Sequence, residues 1–155
     1  MSAAIQGPRE GALPPDFTMH FLDGRMLYRR ELKGRSHAAI YFPPDHPVGE
    51  EQATLAAIAA RIPAWRAARA AVLVVLPADA ADVTANLSFD PVIDRDGTVR
   101  ARFGVGPGGA LFVADRYGEI VLRADGAVAA AGAVSALPFD EVTPTLELLE
   151  MRCSL

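Results

Sequence analysis

The sequence predicts an α/β protein, a three-layer α/β/α sandwich with a mixed central sheet and an N-terminal β-hairpin. Three observations carry this. Two strongly apolar segments, "HAAIYF" and "AVLVVLP", flank a stretch with helical spacing of its apolar residues, the pattern of a parallel βαβ unit. A hairpin pattern follows at "ALFVADRYGEIVLRADG", and the chain closes on a further helical pattern. The predicted order is hairpin, β, α, β, α, β with a helical turn, β, β, α.

Residues 1–13 mix Gly, Pro, Ala and charge without periodicity and are expected to form a flexible N-terminal arm, with a single domain over 14–155. "DFTMHFLDGRMLY" alternates through Phe17, Met19 and Phe21 up to the turn signal Asp23-Gly24, which predicts the N-terminal hairpin. The first core strand is His37 to Phe42; Pro43-Pro44 ends it, since proline cannot donate to a ladder. From Glu50, apolar residues Leu55, Ile58, Ile62 and Trp65 share one helical face, and Pro63 predicts a kink or an end near Ile62. Glu50 and Glu51 at its start and Arg61 and Arg66 near its end complement the helix dipole.

The continuously apolar run from Ala71 to Pro77 reads as a central parallel strand covered on both faces. "ADAADVTANL" predicts a weakly patterned short helix. "DPVIDRDGTVRARFGV" predicts a short strand at Val92 and Ile93, a turn from Asp94 to Gly97 and a helical turn reaching Gly104. "GVGPGG", which lacks the Gly-Lys-Ser/Thr ending of a phosphate loop and precedes a strand, is expected to be a flexible connector. The hairpin then turns at Asp115 to Gly118, and "AVAAAGAVSA", Ala127 to Ala136, is a small-residue connector. In the last helix Thr143 is the expected cap and Pro144 the first helical residue, with Leu146 and Leu149 facing inward.

Composition excludes several function classes. The 155 residues, 51% of them hydrophobic, suffice for one domain with a substantial core. A net charge of -4 with 15 scattered Lys and Arg offers no basic field, so nucleic acid is not an expected partner. The longest apolar run, Ala70 to Pro77, is far short of the roughly 20 residues of a membrane helix. The N-terminus has no signal-peptide pattern, and a cytoplasmic location is the expectation. The single cysteine, Cys153, excludes an intramolecular disulfide and any Cys-x-x-Cys motif.

Four segments in order resemble the redoxin branch of the thioredoxin-like superfamily, which contains the peroxiredoxins and thiol-specific antioxidant proteins. "ALPPDFTMHFLDGRMLYRRELKGR" is similar to that family's opening, and "HAAIYFPPDHPVGEEQATLAAIAARI" to its core strand, active-site loop and first helix. "FDPVIDRDGTVRARFGV" and "ALFVADRYGEIVLR" resemble the later segments. The resemblance implies a thioredoxin-like fold. It also implies a peroxidatic cysteine in the first turn of the helix, where the dipole and a nearby arginine favour the thiolate. Here Pro43 matches the motif's proline, whereas His46 stands where Thr or Ser is expected, Gly49 where the cysteine would stand, and Gly109 where the arginine would stand. The thioredoxin pattern is not met either, with Ala110 near the position of the cis-proline.

The resemblance therefore implies a degenerate active site and a non-catalytic module that binds a protein partner or a small ligand, with no cofactor. The enzymatic alternative is a thiol peroxidase or thiol-disulfide oxidoreductase acting through Cys153; "EMRCSL" looks like a truncated form of a Cys-Pro-x-Cys ending found in some bacterial redoxin-like proteins. Against it, the negative end of the helix dipole and the nearby chain terminus disfavour a thiolate. A third reading is a structural subunit that forms a homodimer, as many redoxins do. Asp45, His46, Glu50 and Glu51 are chemically suited to a metal, but their spacing matches no helical ligand pair, and no metal is expected. His20 and His37 lie on or beside strands and are expected to be structural.

Overall fold

The structure is a computed structural model that describes residues 7–44, 51–78, 87–126 and 137–153, with residues 51, 52 and 153 described in backbone only. The elements are β1 (Thr18–Phe21), β2 (Met26–Tyr28), α1 (Arg29–Leu32), β3 (His37–Phe42), α2 (Glu51–Ala67), β4 (Ala70–Pro77) and β5 (Val92–Asp94). They continue with α3 (Thr98–Arg102), β6 (Ala110–Ala114), β7 (Ile120–Asp125), a 3-10 turn (Phe139–Glu141) and α4 (Val142–Cys153). Among the described residues the strands form one sheet in the order β2-β1-β5-β4-β3-β6-β7. β4 pairs in parallel with β3 and β5, and the remaining pairings are antiparallel, so the sheet is mixed. No helix among the described residues is long and apolar enough to cross a membrane.

Strand alternation divides the core into two layers. On one face Ala39 and Tyr41 of β3, Val74 and Leu76 of β4, and Leu111 and Val113 of β6 meet Leu55, Ile58, Ile62 and Trp65 of α2 and Val142, Leu146 and Leu149 of α4. On the other, Ile40 and Phe42, Leu73 and Val75, and Phe112 meet Phe17, Met19, Val99 and Phe103. Thus α2 and α4 cover one face, while α3, α1 and the chain entering β1 cover the other. The three-layer arrangement and the N-terminal hairpin agree with the sequence.

Several local expectations are corrected. Helix α2 passes through Pro63 to Ala67. A mid-helix proline costs about 3 kcal/mol, but the turn beyond it buries Trp65 (2% exposed) beside Ile62. Burying two such side chains contributes about 3–6 kcal/mol, and the Trp65 indole also donates to Thr143 Oγ1 at 3.0 Å. Thr143 is consequently a partner of α2 within α4, which starts one residue before it behind the 3-10 turn. Helix α1, unanticipated, begins with Glu31 accepting from the Tyr28 amide at 3.0 Å. The predicted helix over 78–87 lies outside the described residues apart from its ends, and the connector 127–136 lies outside them entirely.

Residues 7–13, assigned to a loose arm from their composition, are held against β7. The Gly11 amide donates to the Ile120 carbonyl at 2.7 Å and the Ile120 amide to the Ala12 carbonyl at 2.8 Å. Arg123 Nη1 donates to the Pro8 carbonyl at 2.8 Å.

His37 begins β3 and is fully buried. Its Nδ1 accepts from the Arg116 amide at 3.0 Å, which assigns the ring proton to Nε2, and Nε2 donates to Glu150 Oε1 at 2.7 Å. One imidazole thus joins β3, the β6–β7 turn and α4. We expect His37→Ala to remove both hydrogen bonds and to lower stability by about 2 kcal/mol. Urea unfolding followed by Trp65 fluorescence will measure this as a lower midpoint with an unchanged slope.

Candidate functional site

In open α/β sheets, ligands and chemistry gather beyond the carboxyl ends of the parallel strands. Here that corner lies past Phe42, where Pro43 leaves β3 and Gly109 enters β6. The structure brings these two predicted residues together. Gly109 has φ +78°, and a Cβ on it would stand 2.4 Å from the Phe42 carbonyl oxygen and 2.9 Å from the Pro43 carbonyl carbon. Glycine is required there both by backbone conformation and by the closeness of the neighbouring strand's end. The arginine that the resemblance implies at this position has no room.

A different arginine reaches the corner. Arg100 Nη1 donates to the Pro43 carbonyl at 2.5 Å and Nη2 to the Gly106 carbonyl at 2.7 Å. Its placement begins with Asp94, a buried carboxylate at the end of β5. Asp94 accepts from the amides of Val99 (3.2 Å) and Arg100 (2.9 Å), holding the first turn of α3 against the strand. Asp96 adds a second anchor by accepting from the Thr98 amide at 3.0 Å. The Thr98 hydroxyl first, and then that amide, hold the Asp96 carboxyl below its ordinary value.

The glycine-rich segment Gly104 to Gly109, expected as a flexible connector, is pinned at several points. Besides the Arg100 contact, Arg123 Nη2 donates to the Gly104 carbonyl at 3.2 Å, and the Gly126 amide donates to the Gly109 carbonyl at 2.9 Å. Below it lies an aromatic cluster: Phe103 stands 5.2 Å from Phe42 and 5.1 Å from Phe112 between ring centroids, with Arg123 over the Phe112 ring at 5.1 Å. The corner is therefore made of backbone carbonyls bridged by guanidinium groups over a buried aromatic floor.

His46 and Gly49, the remaining members of the predicted site, lie outside the described residues, as do Asp45 and Glu50. Cys153 is not brought to this corner. It ends α4, one turn beyond Glu150, and Glu150 meets His37 at the opposite end of β3. Six strand residues span about 17–20 Å, so the cysteine backbone and Pro43 are separated by roughly the length of the strand. Arg100, Asp94 and Arg123 escaped the sequence reading. "DRDGTV" signalled a turn followed by a helix, but nothing in the spacing points Arg100 at a carbonyl 57 residues away.

Together these elements make a thioredoxin-like α/β fold, with the core strand and the helix that follows it in the order of that architecture. Solved structures with this fold include the reduced 2-Cys peroxiredoxin of Plasmodium vivax (TM-score 0.77, 13% identity, 94% of this chain and 83% of that one). A cysteine-to-serine mutant of Xylella fastidiosa PrxQ matches at TM-score 0.71 with 12% identity over 96% of this chain and 99% of that one. Xanthomonas campestris peroxiredoxin Q matches at TM-score 0.63 with 18% identity over 88% and 91%. No family model matches the sequence. No curated protein matches it either.

Two substitutions test the corner. Gly109→Ala places a methyl group against the Phe42 carbonyl and should cost at least about 2 kcal/mol. Arg100→Met removes two charge-assisted hydrogen bonds at a partly exposed site and should cost about 1–3 kcal/mol; Arg100→Lys, able to serve only one carbonyl well, should fall between. Urea unfolding ranks the three, and hydrogen exchange at the Gly109 amide reports whether loosening is local.

Proposed function

We propose that this chain is a redoxin-like domain with a degenerate active site, serving as a non-catalytic module that binds a protein partner or a small ligand. The observation that carries the reading is the state of the corner: the arginine that reaches it holds the backbone carbonyls of Pro43 and Gly106. The glycine at the family's arginine position is packed against Phe42. A thiol peroxidase needs a cysteine thiolate with a guanidinium aimed at it. In this chain the aligned cysteine position is Gly49, and the single cysteine ends α4.

The reading is tested on the one thiol that could contradict it. After one equivalent of hydrogen peroxide, intact-mass and peptide mass spectrometry should find Cys153 oxidised no faster than an ordinary exposed thiol, which is only a few per cent ionised at neutral pH. Rapid, stoichiometric sulfenic acid or mixed disulfide at Cys153 would establish the enzymatic alternative. On the binding side, Gly49→Asp introduces a carboxylate at the loop, and affinity capture from native lysate should lose the partner set that the unsubstituted chain retains. An unchanged set would count against a role for this loop.

A further inference from the structure

Four segments meet where β3 begins, and hydrogen bonds join them. The Gly34 amide donates to the Arg116 carbonyl at 2.6 Å, which lays the α1–β3 loop on the β6–β7 turn. The His37 amide donates to the Arg69 carbonyl at 3.0 Å, which adds the α2–β4 turn, and the His37 ring brings in Glu150 near the end of α4. This end of the molecule is cationic. Lys33 and Arg35 are exposed on the loop, Arg66 in the last turn of α2, Arg69 just beyond it, and Arg152 at the end of α4. Among the described residues, Arg69 alone of these has an ion pair, to Glu150 at 3.7 Å. Of the nearby carboxylates, Asp115 accepts from amides of its own turn and Glu150 serves His37, while Glu119 is exposed. The chain as a whole carries a net charge of -4, so its negative charge lies elsewhere.

Helix dipoles account for part of this charge. Arg66 and Arg152 stand in the last turns of α2 and α4, where a cation is favourable whatever its surroundings. They do not account for Lys33 and Arg35 on the loop, nor for Arg69. Arg69 is the one non-glycine residue with positive φ among the described residues, at +60°. That left-handed position after a helix suits glycine, and an arginine there costs stability while 71% of its side chain faces water. Exposed apolar side chains flank the cations: Tyr117, whose ring carries Arg116 at 5.3 Å, and Met151. Arg, Tyr and Met with a single Lys match the composition of protein-binding surfaces, in which Lys is depleted. A nucleic acid or a bilayer would extend past this end over a body that bears the negative charge. A short peptide segment would not.

We propose that this end of the molecule docks an acidic segment of a partner protein. Carboxylates of the segment meet Arg35 and Arg69, whose planar guanidinium forks suit them, and its apolar side chains rest on Tyr117 and Met151. The surface lies at the opposite end of β3 from the Pro43–Gly109 corner, and docking here is independent of anything that corner binds.

The experiment is a titration of the full chain at low salt, followed by amide NMR, with the end-blocked peptide Glu-Glu-Leu-Glu-Glu-Phe-Glu-Glu. Its counterpart with Gln for every Glu, oligothymidylate and phosphatidylserine vesicles are titrated in parallel. Saturable shifts at Arg35, Arg69, Tyr117 and Met151 are expected, with the acidic peptide about tenfold tighter than the Gln peptide and weaker as salt is raised. Arg35→Glu should weaken the acidic peptide about tenfold, and Tyr117→Ser about threefold. Arg69→Gly should weaken it about threefold and leave the thermal midpoint unchanged or higher, since glycine relieves the left-handed backbone. An arginine kept for structure alone would give the reverse, a lower midpoint with unchanged binding. The proposal is overturned by that reverse result, by an absence of saturable shifts, by equal affinity for the two peptides, or by shifts confined to the Gly109 corner. Tighter binding of oligothymidylate or of the vesicles than of the acidic peptide at the same residues would overturn it in favour of that partner.

Discussion

All six residues of β3 are buried, and that constraint organises the rest of the molecule. A strand covered on both faces and paired on both edges satisfies its own backbone through the ladders with β4 and β6. Its ends have no such ladder, and each must be closed by polar groups brought from elsewhere. At the start, the His37 side chain links Glu150 of α4 with the Arg116 amide of the β6–β7 turn. At the finish, the Pro43 carbonyl receives Arg100 from α3. The two closures draw on opposite layers of the sandwich, so one strand fixes the position of both helical faces.

The parts of this design governed by local periodicity were legible in the sequence. The bounds of β3, the β6–β7 hairpin and the inward face of α2 follow from patterns of two and of three to four residues, because burial is what those patterns record. The end of α2 that Pro63 offered near Ile62 does not occur, for a complementary reason. A local rule assigns the cost of a proline but not the burial of Trp65 and its bond to Thr143 across the helix pair, which outweighs it. The closures of β3 were illegible for a stronger reason: their partners lie 57, 79 and 113 residues apart, and no spacing within a window connects them. Family resemblance supplied the candidate corner, and Pro43 and Gly109 do meet there. It could not supply Arg100, which approaches from a different element than the resemblance implies.

That substitution of one arginine for another bears on what the corner can do. A guanidinium aimed into a cavity can stabilise a thiolate or polarise a peroxide, since its charge is available to whatever enters. Arg100 instead joins the end of β3 to the Gly104 to Gly109 segment, and Gly109 leaves no side chain in the space between. Two donors of Arg100 are thus engaged where the β3 ladder stops. Asp94 shows how firmly the arrangement is set, since its buried carboxylate closes the first turn of α3 and thereby fixes the direction from which Arg100 departs.

The two ends of β3 differ in how side-chain volume is distributed over one face of the sheet. Near Pro43, Phe42, Phe103 and Phe112 interlock with ring centroids 5.1–5.9 Å apart, and the layer above the strand is filled. Near His37 the facing pair is Ala38 with Ala114, smaller side chains that are buried all the same beneath Phe17 and Leu32. Protein interiors are normally packed to crystal-like density, and an apolar hollow forfeits the dispersion contacts of its lining atoms. With the alanine pair buried all the same, the dispersion contacts at that end of the strand come from Phe17 and Leu32 in the layer above, whereas at the other end the aromatic side chains of the sheet fill the layer themselves.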